Sequence, residues 1–255
     1  MREEPGIALQ ARIAAARSLF VLTGAGMSAE SGIATFRDAT VLGRPGGGAG
    51  IWSRFDPAQL ASEEGFRADP QRVWDWYAER RVAMRQAQPN AGHLALGAFA
   101  RRRPGVLTLV SQNVDDLHQR AGNTDTIRLH GALLADRWLE RCSRTPVCDT
   151  QQATPGRPPR CDTCSNLVRP DVVWFGEMLP PEALQAAERA AQACEVALVV
   201  GTSGAVWPAA GLAATARRAG AFVAIVNVST SEIDDDAHVV LRATAAAALP
   251  RLLSD

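Results

Sequence analysis

Ser18-Leu19-Phe20-Val21-Leu22-Thr23-Gly24-Ala25-Gly26-Met27-Ser28-Ala29-Glu30-Ser31-Gly32-Ile33-Ala34-Thr35-Phe36-Arg37-Asp38 is the stretch that decides how this chain folds. Leu19 to Leu22 is an apolar run of strand length. It ends at Gly24-Ala25-Gly26, and helix formers follow from Met27. Strand, glycine turn, helix is the order in which backbone N–H groups and a helix N-terminus are presented to a phosphate. Gly24 and Gly26 would let the chain turn sharply and approach a pyrophosphate, with Ala29 where the dinucleotide pattern takes its third small residue. Taken alone, the pattern fits a plain tight connection equally well. Gly32 to Asp38 is too rich in special residues for a simple helix, so this segment is expected to leave the sheet and fold over a ligand.

Outward from that stretch, strands and helices alternate. Residues 5–17 have helical period and lead into the first strand. Asp69 or Pro70 opens a helix over 70–88 that Pro89 closes, and a second helix runs from about Ala91 to Arg102. Val106 to Val110 reads as a buried strand with the polar tip Ser111-Gln112-Asn113, followed by a helix from Asp115 to Ala121. Thr126 to Gly131 is another short strand with a polar end. The α/β pattern resumes at Val172-Val173-Trp174-Phe175. A helix from about Pro181 follows, then a strand Val196 to Val200, a helix after Pro208, a strand Phe222 to Val228 and a last strand near Val239. Such alternation predicts an α/β fold, a Rossmann-like parallel sheet with helices on both faces. Ligands collect at the carboxyl ends of such strands. Thr23-Gly24, Gln112-Asn113, His130, Gly201-Thr202-Ser203 and Asn227 all stand there, and their convergence is hard to explain by chance.

The chain has 255 residues and no net formal charge, which argues against a nucleic-acid partner or an anionic membrane surface. No apolar run reaches membrane-spanning length and no basic-then-apolar leader follows Met1, so a soluble, cytoplasmic protein is expected. All 27 basic residues are arginine. A P-loop lysine and a Schiff-base lysine are thereby excluded. Four of the five cysteines crowd between Cys142 and Cys164, where Pro, Gly and Thr replace the apolar period. They read as metal ligands in a reducing compartment rather than a disulfide framework, while Cys194 reads as a buried core thiol. The expected organisation is a nucleotide-binding domain from 1–131 and 171–255, with a helical insert at about 39–104, and a small cysteine-rich module at 132–170. The glycine-rich loop Leu42 to Gly50 suits either a lid or a surface insertion.

The set of motifs resembles the sirtuins, NAD-dependent protein-lysine deacylases. The pieces are Gly24-Ala25-Gly26-Met27-Ser28, Ser31-Gly32-Ile33, Phe36-Arg37, Gln112 to His118, Leu129-His130-Gly131, the cysteine module, Arg169 to Glu177, and Gly201-Thr202-Ser203. They stand in the family's order and span nearly the whole chain. The resemblance implies that the acyl oxygen of a modified lysine attacks C1′ of the nicotinamide ribose, expelling nicotinamide, and that a base then activates a ribose hydroxyl, giving O-acyl-ADP-ribose. A lone histidine at a strand end is more often structural than catalytic. Here the flanking Leu129 and Gly131 and the Gln112–Asp115 tip favour His130 as that base, its ordinary pKa being near neutrality.

By the same resemblance Asn113 would order the ribose and a water, and Asp115 would bind the nicotinamide carboxamide. Ser28 and Ile33 would complete that pocket, Glu30 and Gln112 would also bind the cofactor, Phe36 would shield the reactive carbon from water, and Arg37 would help order the cofactor. Gly24, Ala25, Gly26, Gly201, Thr202, Ser203 and Asn227 would hold the adenosine and phosphate half. Val172, Val173, Trp174, Phe175 and Gly176 would receive the substrate peptide as an added strand.

Tyr77, the only tyrosine, and Arg80 share a helix face at i and i+3. The resemblance makes them a clamp for the carboxylate of a succinyl, malonyl or glutaryl group, with acetyl-lysine remaining a substrate; a packed tyrosine beside a solvated arginine is the alternative. The resemblance also implies one structural zinc ion on Cys142, Cys148, Cys161 and Cys164, with no open position for chemistry. Five residues separate Cys142 from Cys148 where the family has two, and Ala34 replaces the family's proline. If Cys142 or Cys148 stands outside the metal site, packing would hold the module. Acyl-lysine proteins are the expected partners of a monomer. A mono-ADP-ribosyltransferase and an idle NAD-binding protein are the competing readings. Trp174 to Glu177 and Tyr77/Arg80 argue against the first, and Asn113, Asp115 and His130 against the second.

Overall fold

The computed structural model describes residues 5–35, 56–140 and 157–254. Its strands, in chain order, are β1 (Leu19–Thr23), β2 (Leu107–Ser111), β3 (Ile127–Arg128) and β4 (Gly131–Trp138). β5 (Val168–Val172), β6 (Val196–Val200), β7 (Phe222–Val226) and β8 (Val239–Leu241) follow. The described α-helices are α1 (Pro5–Ala15), α2 (Pro57–Leu60), α3 (Glu63–Ala68), α4 (Pro70–Gln86) and α5 (Ala91–Arg102). Then come α6 (Leu117–Arg120), α7 (Pro181–Ala193), α8 (Gly211–Arg218) and α9 (Ala245–Leu252).

Six strands form one parallel sheet in the order β3-β2-β1-β6-β7-β8. β1 is buried at every position, because alternate residues feed two separate cores. Leu19 and Val21 join Val196, Leu198, Ala224 and Val226 beneath α1, α5 and α9. Phe20 and Leu22 join Ala197, Val199, Val223 and Ile225 beneath α7 and α8. A run that is apolar throughout is what a strand covered on both faces requires. From β1 the chain adds strands to one side, and from β6 to the other, so the order reverses between β1 and β6. A crevice opens at such a reversal, at the carboxyl ends of the two strands.

The turn after β1 differs from the expected helix. Ala25–Met27 and Ala29–Ser31 are two short 3-10 turns, and Gly32 ends the second at φ 86°. A left-handed glycine six residues after Gly26, with Ser28 and Ser31 between, leaves no room for an α-helical turn to propagate.

Val172 also differs from expectation. It ends β5, which pairs antiparallel with β4 outside the main sheet. No α-helix among the described residues separates these two strands, and a parallel neighbour would need such a crossover. Their pairing holds Gly131 against Val172 and Ala132 against Asp171, then resumes with Asp136 against Pro170. Leu133, Leu134 and Ala135 are therefore looped out in a bulge. A third core of Phe66, Val73, Tyr77, Met84, Leu133, Val172 and Trp174 binds this two-stranded sheet to α3 and α4. None of the described helices is long and apolar enough to cross a membrane.

Candidate active site

A cavity of 690 Å³ lies at the carboxyl ends of β1, β2 and β6. Its floor is the meeting of two loops. A Cβ on Gly24 or Gly26 would stand 2.8 Å from backbone atoms of Gly201, and one on Gly201, at φ 63°, would stand 2.4 Å from Met27 N. These glycines exist because the loop after β1 and the loop after β6 touch backbone to backbone. Gly24 N–H and Gly26 N–H are consumed in that contact by Val200 O and Gly201 O, and Met27 and Ser28 N–H by the turns themselves. Among the described residues Ala25 N–H has no such acceptor, which leaves it open to a ligand. Gln112 links the floor to the next strand: its side chain donates to Thr202 Oγ1 at 3.2 Å, and its N–H to Thr23 O. Asn227 closes the far side through Thr202 O and Ser229 O. Glu30 reaches the cavity edge, and its carboxylate accepts from Ala246 N–H at the start of α9.

His130 stands where β3 gives way to β4 and lines the cavity. Its Nδ1 lies 2.8 Å from the Gln112 carbonyl oxygen, which can only accept, so the proton is on Nδ1 and Nε2 keeps its lone pair. Burial holds the imidazole below its ordinary pKa, against the opposing pull of Gln112 O. It is a neutral base at pH 7.

Behind that wall is a buried polar layer. Asn113 Nδ2 donates to Ser28 Oγ at 3.1 Å, and Ser28 Oγ donates to Asp115 Oδ2 at 2.8 Å. Asp115 also accepts from Leu117 N–H, and burial raises its pKa. His93 accepts from Asn90 N–H on Nδ1 in the capping box of α5, which turns Nε2 toward Ser28 Oγ at 3.5 Å. His118 Nε2 meets Thr23 Oγ1 at 3.0 Å, and its Nδ1 has no partner among the described residues. Burial pushes His93 down to about 4 and His118 to about 3. In the sequence His118 stands out only as the last residue of the Gln112–His118 motif, with no role of its own, and His93 only as a polar residue in an apolar helical pattern.

These two rings make folding acid-sensitive. Their folded pKa values lie below the unfolded value near 6.5, so as pH falls through 6.5 the unfolded chain takes up protons that the folded chain refuses. Stability is thereby lost on acidification and fully present above 6.5. The pair is expected to cost about 2 kcal/mol between pH 6.5 and 5.5. Urea unfolding at the two pH values measures it, and replacing both histidines with glutamine should flatten the dependence; an unchanged slope in that variant sinks the assignment.

The opposite wall comes from α4 and the segment after β5. Tyr77 and Arg80 both line the cavity. Trp174 Nε1–H donates to the Tyr77 hydroxyl at 2.9 Å, so the phenol proton points elsewhere, and burial raises the phenol pKa to about 12. Arg80 stacks on Trp76 at 4.7 Å, and desolvation lowers its pKa. Val172, Val173, Trp174, Phe175 and Gly176 all line the same wall. Arg169 and Glu177, which the sequence offers only as parts of the Arg169–Glu177 motif, fasten it. Arg169, 1% exposed, lies 3.3 Å from the Trp174 ring centroid, donates to Val172 O and pairs with Glu177. Glu177 also accepts from Trp174 N–H at 2.8 Å and from Arg137.

Of the residues singled out from sequence, Gly24, Ala25, Gly26, Glu30, Gln112, Asn113, His130, Gly201, Thr202, Ser203, Asn227, Tyr77, Arg80 and Val172 to Gly176 therefore share one cavity. Ser28 and Asp115 stand one layer behind it, and Ile33 packs on the third core. Phe36, Arg37, Cys142, Cys148 and the loop 39–50 lie outside the described residues. Cys161 and Cys164 bracket a tight turn in which Cys161 N–H donates to Asn166 O and Ser165 N–H to Cys161 O. Among the described residues no larger group of metal-binding side chains surrounds them.

Comparison with known proteins gives a consistent likeness. The family model described as the Sir2 family matches residues 24–208. A protein of Ralstonia nicotianae named NAD-dependent protein deacylase is 51% identical over 245 residues, covering 96% of this chain and 94% of its own. A solved Sir2 homologue mutant in complex with ADP-ribose is 39% identical, with a TM-score of 0.85 over 99% of this chain and 95% of its own. A Sir2 structure bound to a propionylated peptide is 28% identical, with a TM-score of 0.80 over 98% of each chain.

Proposed function

The chain belongs to the Sir2 family, and from that premise we propose that it is an enzyme removing acyl groups from protein lysines with NAD as co-substrate. The observation that carries this is His130, fixed by Gln112 O with an unprotonated Nε2 beside a cavity large enough for a dinucleotide and an acyl chain. When NAD is bound, its nicotinamide–ribose bond supplies the electrophile. His130 Nε2 would take the proton of a ribose hydroxyl once nicotinamide has left. Asn113 would order the ribose, with Ser28 and Asp115 holding the Asn113 amide and the nicotinamide end. The Gly24–Gly26 and Gly201–Ser203 loops, with Asn227, would take the adenosine and phosphates. Phe36 would shield the reacting carbon from water, and Arg37 would help order the cofactor.

The peptide would add as a strand beside Val172 to Gly176. Val173 O and Gly176 N–H make no bond among the described residues, which suits that reading. Zinc would be structural, held by Cys161 and Cys164 with Cys142 and Cys148, in a module spanning 132–170 set against the nucleotide domain 1–131 and 171–255.

The acyl group it best suits carries a carboxylate. A guanidinium forks to two oxygens, and the Tyr77 hydroxyl, whose oxygen already accepts from Trp174, has its proton to give. Arg80→Met should lower kcat/KM for succinyl-lysine by about 10- to 100-fold, the loss of a charge-assisted pair, and leave acetyl-lysine within about threefold. Mass spectrometry of one peptide in both acylated forms reads this. Equal losses on both, or no succinyl removal by wild type, overturns the carboxylate clamp. NAD consumption with no acyl removal overturns deacylation itself.

A further inference from the structure

The bulge in β4 leaves backbone carbonyls that no strand can satisfy, and one side chain answers them. Arg81 is 1% exposed. Its Nε donates to Leu133 O at 2.7 Å and its Nη2 to Ala135 O at 3.3 Å, while the Asp136 carboxylate, on a side chain 2% exposed, pairs with the same Nη2. The guanidinium therefore fills the looped-out segment as a pin. The bulge is fixed on its other side too, since Leu133 N–H donates to Val114 O, in the loop that carries Asn113 and Asp115.

Arg81 is one helical turn beyond Tyr77 and follows Arg80 directly. α4 is thus anchored at two levels: at Tyr77 by Trp174 Nε1–H and at Arg81 by the bulge. Arg80 lies between these two anchors. We propose that Arg81 is a positioning residue for acyl selectivity: seated in the β4 bulge with Asp136, it sets the rotation and depth of α4 at which Tyr77 and Arg80 meet the distal carboxylate of the acyl chain. This rests on the acidic-acyl reading above. Deacetylation makes no use of that end of the pocket, so a shift of α4 acts on one substrate and spares the other.

Arg81→Lys keeps a cation opposite Asp136 but has no planar fork for Leu133 O and Ala135 O. It should raise KM for succinyl-lysine peptide at least fivefold while KM for acetyl-lysine peptide, KM for NAD and both kcat values stay within twofold. A purely structural role would move both substrates together. Asp136→Asn keeps the shape and removes the charge; it should shift the same succinyl-to-acetyl ratio by about threefold, and it carries the test if Arg81→Lys does not fold. An unchanged ratio in a folded variant, with wild type desuccinylating and Arg80→Met not, overturns the role of Arg81 and leaves the clamp standing. Absence of desuccinylation by wild type overturns both.

Discussion

His130→Ala is expected to lower deacylation by about 10²- to 10⁴-fold, the usual contribution of a well-placed general base. The loss should be confined to steps after nicotinamide departs. Nothing in the bond from Nδ1 to Gln112 O places the imidazole against the leaving group, and in the proposed reaction the proton it would take is that of a ribose hydroxyl. Exchange of labelled nicotinamide into NAD should therefore survive in the variant while product formation falls. Loss of both to the same degree would make His130 part of the binding wall and remove it as the base. The pH profile gives an independent check. Burial lowers the pKa of His130, so the neutral, active form persists below pH 6.5, and the acid limb of kcat/KM should fall at a pH lower than an ordinary imidazole would give. A limb at or above 6.5 contradicts the geometry.

Glu177→Ala should destabilise the fold by about 3–5 kcal/mol, because it strands the Arg169 cation with 1% of its surface exposed. Burial alone would raise the carboxyl pKa, but the hydrogen bonds from Arg169 and Trp174 N–H outweigh it and hold the group below the usual range. The same deletion unties Trp174 N–H, and with it the segment from Val172 to Gly176. KM for peptide should rise while the affinity for NAD changes little, since the floor loops at Gly24 and Gly201 are on the other side of the cavity. For a chain of this size the midpoint of thermal unfolding would fall by roughly 10 °C. A variant as stable as wild type would show that Arg169 finds another acceptor. Replacing Glu177 by Gln should recover part of the stability, as the amide oxygen can still accept.

The parallel sheet was legible because β6 and β7 are apolar at every position and β1 at all but its last, Thr23, with helical pattern between them, a combination that a doubly covered sheet explains. The convergence of Gln112, Asn113, His130, Gly201 and Asn227 was legible for the same reason: the strand ends locate themselves once the strands are read. What local pattern could not supply was long-range pairing. Val172 to Phe175 reads as the return of the α/β series, yet the strand there is β5, which ends at Val172 and pairs with β4, and the bulge at Leu133 to Ala135 has no signature in the residues that form it. The glycines at 24 and 26 were read as space for a ligand. Part of that space is taken by Gly201, a loop about 175 residues further along the chain. Arg81 carries no sign of burial in the sequence, and the Arg169–Glu177 motif does not say that its two ends pair; arginine is rarely buried unless paired, and the pairing is tertiary.

Three pins among the described residues are guanidinium groups: Arg81 in the bulge, Arg169 under Trp174, and Arg103 on the carbonyls of Ile13, Ala14 and Ala16 at the end of α1. A guanidinium stays protonated and is not a nucleophile at neutral pH, whereas an ε-amine reacts with thioesters and acyl phosphates. Reactive acyl donors that spread over the lysines of neighbouring proteins would find no side-chain amine here to neutralise. The scaffold thus keeps its charge pattern under the very conditions in which acylated substrates accumulate.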